Sequence, residues 1–169
     1  GSGLVGSEMC IRDSDKDLDL FESQYIVPNG VSYNSYVILD EKIAVMDTID
    51  TRKTDEWKEN LERVLDGRTP DYLVVSHLEP DHAGSIKEFA DKYPEAKIVA
   101  SAKAIAMLPQ FFEIADLADR AVAVKEGEEL SLGSHTLQFF MAPMVHWPEV
   151  MVEYEKSEKI LFSADGFGK

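Results

Sequence analysis

Between positions 76 and 85 the chain reads SHLEPDHAGS, and four of these residues, His77, Glu79, Asp81 and His82, are of types that bind metal ions. They fall within six consecutive positions and follow the apolar run YLVV almost directly. Imidazole and carboxylate together suit iron, zinc or manganese, whereas calcium and magnesium favour cages built from oxygen alone. His77, Glu79 and Asp81 alternate by two, so an extended backbone through 77–81 points all three the same way. His82 then turns back as a helix begins. Pro80 stiffens that turn and biases Glu79 toward an extended conformation. Two further residues stand in similar settings, His146 after the run TLQFFMAP and Asp165 after KILFS. A single histidine or aspartate past a strand is most often a solvated loop residue or a cap. The cluster of four, joined by two more at strand ends, reads as a metal site.

The elements around these residues follow from periodicity. SYVIL and KIAVMDT are β-rich runs split by Asp40 and Glu41, the pattern of a hairpin. TDEWKENLERVL carries Trp57, Leu61, Val64 and Leu65 at helical spacing, with Thr54 as N-cap and Gly67 as a stop. DYLVVS is a strand, 83–93 a helix, KIVA a short buried strand, and SAKAIAMLPQFF a helix that Pro109 kinks or ends. RAVAVK, EELSL, HTLQFFMAP, VMVEYE and KILFS then run as short strands with tight turns; QYIV near the start is a further strand, and PNG after it a turn. Strands alternate with helices first and dominate later, which predicts an α/β fold with a mixed sheet. Each ligand-type residue falls just past a strand, where α/β sheets build their sites.

Composition narrows the function. There are 17 basic and 32 acidic residues, a net charge of −15, and such a surface repels the phosphates of nucleic acid and anionic membranes. No stretch reaches the roughly 20 apolar residues that span a bilayer, and no secretory signal is evident, so a cytoplasmic protein is expected. The single cysteine, Cys10, excludes an internal disulfide and a thiolate zinc cage. Residues 1–14 read as a tag- or adapter-derived tail outside the fold, mobile or ordered by chance contacts, with the domain occupying 15–169.

HLEPDH resembles the His-x-Glu-x-Asp-His form of the metallo-β-lactamase motif found in flavodiiron proteins. HWPEVMVEYEKSEKILFSADGFGK resembles a later segment of the same family, and YNSYVILDEKIAVMDTID its opening hairpin. The resemblance implies a metallo-β-lactamase-like αββα sandwich, of which this chain holds the N-terminal half to two-thirds. It implies that His77, Glu79 and His146 bind one iron, that Asp81 and His82 bind a second, and that Asp165 bridges them. In most hydrolases of this fold the position of Glu79 is a histidine and the metal is zinc. Glu79, Asp81 and Asp165 contribute −3 against +4 for two divalent ions, so one hydroxide brings the site to neutrality. A histidine at 79 leaves it one unit more positive and less suited to a ferric state, so Glu79 favours redox iron over hydrolytic zinc.

The implied activity is reduction of O2 to water or of NO to N2O, with electrons reaching the irons from FMN, a flavoprotein or rubredoxin. Two features of the family pattern have no counterpart before Lys169, a seventh ligand histidine downstream of Asp165 and the flavodoxin-like domain that carries FMN. The expectation is therefore low turnover, a weaker metal at Asp81/His82, and a homo-oligomer that covers a sheet face left open to water. A zinc-dependent hydrolase and a non-enzymatic di-iron oxygen sensor are the rival readings. Trp147 walls the metal pocket, meets a flavin, or packs in the core. Asp47 supports a ligand or caps its strand, and His135 is expected to be exposed.

Overall fold

The computed structural model describes residues 33–167 in full and, before them, the backbone of a few strands. The strands are β1 (Ser2–Val5), β2 (Glu8–Asp15), β3 (Leu20–Phe21), β4 (Tyr25–Ile26), β5 (Val31–Ile38), β6 (Ala44–Met46), β7 (Tyr72–Val75), β8 (Lys97–Ser101), β9 (Ala121–Val124), β10 (Glu129–Ser131), β11 (Thr136–Met141), β12 (Met151–Glu155) and β13 (Ile160–Phe162). The helices are α1 (Thr54–Leu65), α2 (Pro80–Ala83), α3 (Ile86–Lys92), α4 (Ala102–Met107) and α5 (Leu117–Arg120). A seven-stranded sheet has the order β1-β2-β5-β6-β7-β8-β9, and β10-β11-β12-β13 form a second, antiparallel sheet. Strands β6 to β9 are mutually parallel, and β5–β6 is the antiparallel hairpin that the sequence predicts. The mixed α/β character is as expected. β1 and β2 extend the β5 edge from within the segment that the sequence sets apart as a tail. The PNG turn lies outside the described residues.

Parallel strands need crossovers, and here those crossovers are helical, so α1, α3 and α4 gather on one face of the first sheet. Alternation then divides each apolar run between two cores. Val45, Leu73, Val75, Ile98 and Ala100 pack with Trp57, Leu61, Ile86 and Phe89 of the helices. Ala44, Met46, Val74 and Val99 turn the other way, onto Leu137, Phe139, Met151 and Phe162 of the second sheet. The sheet face expected to lie open is therefore covered. The run of short strands in the second half folds over it, because each of them also has one apolar face to bury. Half-buried apolar residues remain on the outer face of the second sheet, where Phe140 pairs with Val152 and Tyr154 with the exposed Leu161.

Two further expectations change, for 83–93 and for His135, while the helix ending at Pro109 is as expected. The helix predicted over 83–93 is two pieces, α2 and α3, broken at Gly84 and Ser85. Pro109 falls in a 3-10 turn, Leu108–Gln110, that ends α4. The short helix α5 was not anticipated, and nothing in the alternation of that segment signals it. His135 is buried at 7% exposure instead of exposed. Asp40, in the β5–β6 hairpin, reaches across to the turn before β11 and accepts from His135 N–H and ring Nδ1, both at 2.7 Å.

That contact ties the two sheets together and generates a pH prediction. Burial raises the Asp40 carboxyl, but the hydrogen bonds from His135 and from the Glu41 N–H outweigh it and hold the group below its ordinary value. A carboxylate depressed in the folded state stabilises above its unfolded pKa of about 3.9, and that contribution is lost as pH falls through the folded value. Asp40→Asn is expected to cost about 1 kcal/mol at neutral pH and to flatten the acid limb of a denaturant-unfolding series. An unchanged acid limb would contradict this role.

Candidate metal centre

The site forms where β7 ends. Beyond that end, Glu79 keeps an extended φ −62° and ψ 145° as the residue before the helix. Pro80 occupies the first turn of α2, a position that its fixed φ suits. Extended geometry thus stops at Glu79, two residues earlier than the sequence suggested, and Asp81 turns with His82 on the helix. This one change sorts the cluster into two sets. His77 and Glu79 join His146 and Asp165, while Asp81 and His82 join Asp165, and in each set one ligand atom per residue lies within 4.8 Å of all the others. Asp165 belongs to both.

In the first set, Glu79 Oε2 lies 3.0 Å from His77 Nε2 and 2.9 Å from His146 Nε2. Asp165 Oδ2 stands 3.5 Å from each of the same two nitrogens. In the second, His82 Nε2 donates to Asp165 Oδ1 at 2.7 Å and lies 3.6 Å from Asp81 Oδ2. His77 and Glu79 are buried, whereas the side chains of His146 and Asp165 are 56% and 42% exposed, so the site opens on that side. Phe111, Met144, Val145 and Phe167 stand exposed nearby in sequence or contact, with Phe111 stacked at 6.5 Å on Trp147. Trp147 meets His77 edge-on at 5.3 Å and also packs against the helical core, which answers two of its three readings.

Residues behind the ligands fix their ring nitrogens. His77 Nδ1 donates to Glu149 Oε1 at 2.8 Å, which leaves Nε2 facing the site. The same oxygen accepts the Leu78 N–H at 3.0 Å. Asp47 does both things considered for it: Oδ1 accepts the Ser76 N–H at 2.7 Å, closing the strand, and Oδ2 stands 3.4 Å from His82 Nδ1. Asp47 has φ 53°, a left-handed conformation uncommon outside glycine, as does Ala164 at 47° beside Asp165. Non-glycine residues held this way cluster at functional sites. Thr48 N–H and Oγ1 both donate to the His82 carbonyl at 2.8 Å. Gly84 lets α2 approach this loop, since a Cβ there would lie 2.6 Å from Thr51 N and 2.9 Å from the Ile49 carbonyl. Sequence reading missed Glu149, although its place three residues after His146 and ahead of a strand was visible.

The donor set fits a cation. Asp81 Oδ1 is buried without a hydrogen-bond partner among the described residues. Burial raises the Asp81 carboxyl, His82 lowers it, and the charges of Asp165 and Glu79 push it up again, with a net upward shift. Hydrogen bonding from His82 leads the forces that hold Asp165 down, to about 2. Burial opposes protonation of His82, but Asp165, Asp47 and Asp81 outweigh it and raise that imidazole well above the ordinary histidine range. Three carboxylates and three imidazoles that compensate one another with protons are a set that a pair of divalent ions can satisfy instead.

A mixed sheet sandwiched between helices and a second sheet, with this cluster at the carboxyl ends of its strands, is the arrangement of a metallo-β-lactamase-like domain. A family profile described as ODP family beta lactamase matches residues 31–169. Diflavin flavoprotein A 1 of Synechocystis sp. is 37% identical over 163 residues, covering 94% of this chain and 27% of that protein. The anaerobic nitric oxide reductase flavorubredoxin of Vibrio vulnificus is 33% identical over 152 residues, 89% of this chain and 30% of its own length. Of solved structures, the flavodiiron protein from Giardia intestinalis matches with a TM-score of 0.91 at 30% identity, over 98% of this chain and 40% of that one. Rubredoxin oxygen:oxidoreductase from the anaerobe Desulfovibrio gigas matches with a TM-score of 0.85 at 31% identity, over 95% and 40%. The chain belongs to the ODP beta-lactamase family and is similar over nearly its whole length to part of flavodiiron proteins. It spans less than a third of the length of those two relatives.

Metal binding by this set must displace protons. Because the His82 imidazole is raised, it stays protonated above the usual histidine pKa of about 6.5 and must lose that proton to ligate. Apparent affinity for a divalent ion is expected to keep rising with pH above 6.5, with protons released into a weakly buffered solution. Calorimetry in buffers of different ionisation enthalpy measures this, and binding without proton release would contradict it.

Proposed function

We propose that this chain is the metal-binding part of a flavodiiron-type oxidoreductase whose full-length form reduces O2 to water or NO to N2O. In this reading His77, Glu79 and His146 bind one iron, Asp81 and His82 bind the other, and Asp165 bridges. The observation that carries it is Glu79, whose carboxylate lies within 3.0 Å of the inward nitrogens of both His77 and His146. A carboxylate there adds the negative charge that favours ferric iron over zinc. Support also comes from what the relatives are called, an anaerobic nitric oxide reductase flavorubredoxin and a rubredoxin oxygen:oxidoreductase.

When bound, the two ions supply electrons in pairs to a diatomic substrate. The chain's own part is to hold and shape the site. Glu149 holds the Nδ1 side of His77, Asp47 faces the Nδ1 side of His82, and burial of Glu79 keeps water from one side. The exposed side of His146 and Asp165 admits a small substrate. The apolar residues Met144 and Val145 offer a surface to an electron donor, and Trp147 stands beside His77 on the path to a flavin. The donor is an FMN-bearing domain or flavoprotein, itself fed by rubredoxin, in a cytoplasmic setting. No described helix is long and apolar enough to cross a membrane.

The experiment is a stopped-flow reaction of the iron-loaded, chemically reduced chain with O2 and with NO, set beside a chromogenic ester assay of the zinc-loaded chain. Oxidation of the iron by either gas with no ester turnover is the expected result. Ester hydrolysis with iron inert to both gases would move the reading to a metal-dependent hydrolase, and reversible O2 uptake without oxidation to a sensor.

A further inference from the structure

Glu153 is wholly buried on the inner side of β12 and belongs to neither ligand set. Its Oε2 lies 3.0 Å from the hydroxyl of Ser76, the residue before His77. Its Oε1 is buried with no hydrogen-bond partner among the described residues. The backbone N–H of the same serine donates to Asp47 Oδ1 at 2.7 Å. Ser76 therefore stands between two buried acids, one on each side, and no ion pair from lysine or arginine to either is present among the described residues.

Two carboxylates so placed cannot both be charged without a large desolvation cost and mutual repulsion. One oxygen of Asp47 receives an N–H and the other faces the His82 ring. Glu153 has a single hydroxyl to meet two oxygens. We propose that Glu153 is a positioning residue of the metal centre, standing as the neutral acid and accepting the Ser76 hydroxyl at Oε2. Through Ser76 it ties the start of the loop that carries His77 and Glu79 to β12. The electrostatics agree in direction, because burial and then the Asp47 charge push the Glu153 carboxyl well above the usual carboxylate range.

The consequence for metal binding rests on the di-metal reading above, whereas the protonation is a property of the metal-free chain. The test uses both. Infrared difference spectra of the metal-free chain against Glu153→Gln at neutral pH should contain a carboxylic-acid C=O band that the variant lacks. Its absence overturns the proposal. Cobalt(II) titration of the same chains should then find Glu153→Gln, a neutral isostere that keeps an acceptor for the Ser76 hydroxyl, as tight as the parent. Glu153→Val is expected to weaken cobalt binding about tenfold. Equal weakening in both variants would mean that the charge matters, and no weakening in Glu153→Val would remove the positioning role; either overturns it. Should the valine variant fail to fold, the isosteric Glu153→Gln still decides. A parent chain that binds no cobalt defeats the metal reading instead, and the infrared result stands apart from it.

Discussion

Repulsion among three carboxylates, Glu79, Asp81 and Asp165, is the constraint around which this end of the sheet is arranged. Each is brought close to the others, Glu79 and Asp81 largely buried and Asp165 partly exposed, and each charge raises the cost of the next. The fold places an imidazole between each neighbouring pair. His77 and His146 face Glu79 and Asp165, and His82 faces Asp81 and Asp165. Around that core a ring of supporting contacts, from Glu149, Asp47 and Thr48, restricts how the imidazoles can turn. Such a network has little freedom to relax by moving apart. Its remaining ways to relieve the charge are to take up protons or to take up cations, and the second explains why so many ligand-type residues converge.

The parts of this arrangement that were legible in the sequence are those set by chain-local physics. The apolar runs of β7 and β8, the spacing of Trp57, Leu61, Val64 and Leu65, and the density of ligand types after YLVV each follow from neighbours a few residues apart. Pro80 was rightly read as holding Glu79 extended. That it also starts a helix, sending Asp81 to the other set, depends on how Gly84 lets α2 settle against the loop from Ile49 to Thr51. Long-range contacts were out of reach. His135 is polar, flanked by polar residues, and its bonds to Asp40, 95 positions away, help to make its burial favourable. In VMVEYE, periodicity alone would turn Val150, Val152 and Tyr154 inward, whereas Met151, Glu153 and Glu155 are the more deeply placed set on β12. Glu155 is accommodated there by backbone N–H groups of Thr136, Ser157 and Glu158. The covered sheet face was missed for the same reason, since nothing local says that later strands fold back over earlier ones.

Glu79 links the fold to the choice of chemistry. A third imidazole at that position would compensate the carboxylates without adding to them, and the site would carry more positive charge for the same two ions. In the proposed reading a carboxylate shifts the balance toward a higher oxidation state, at a buried position. The open side, at His146 and Asp165, is where a substrate and an electron donor can both approach. Rigid support behind the ligands and access in front of them are the two conditions that a redox metal centre requires of its protein.

The central claim is that this set holds two iron ions. The most direct measurement is metal content per chain, on protein purified anaerobically from cells supplied with both iron and zinc. About two irons per chain with little zinc is the predicted result. Zinc in place of iron, or no metal at all, would contradict the account.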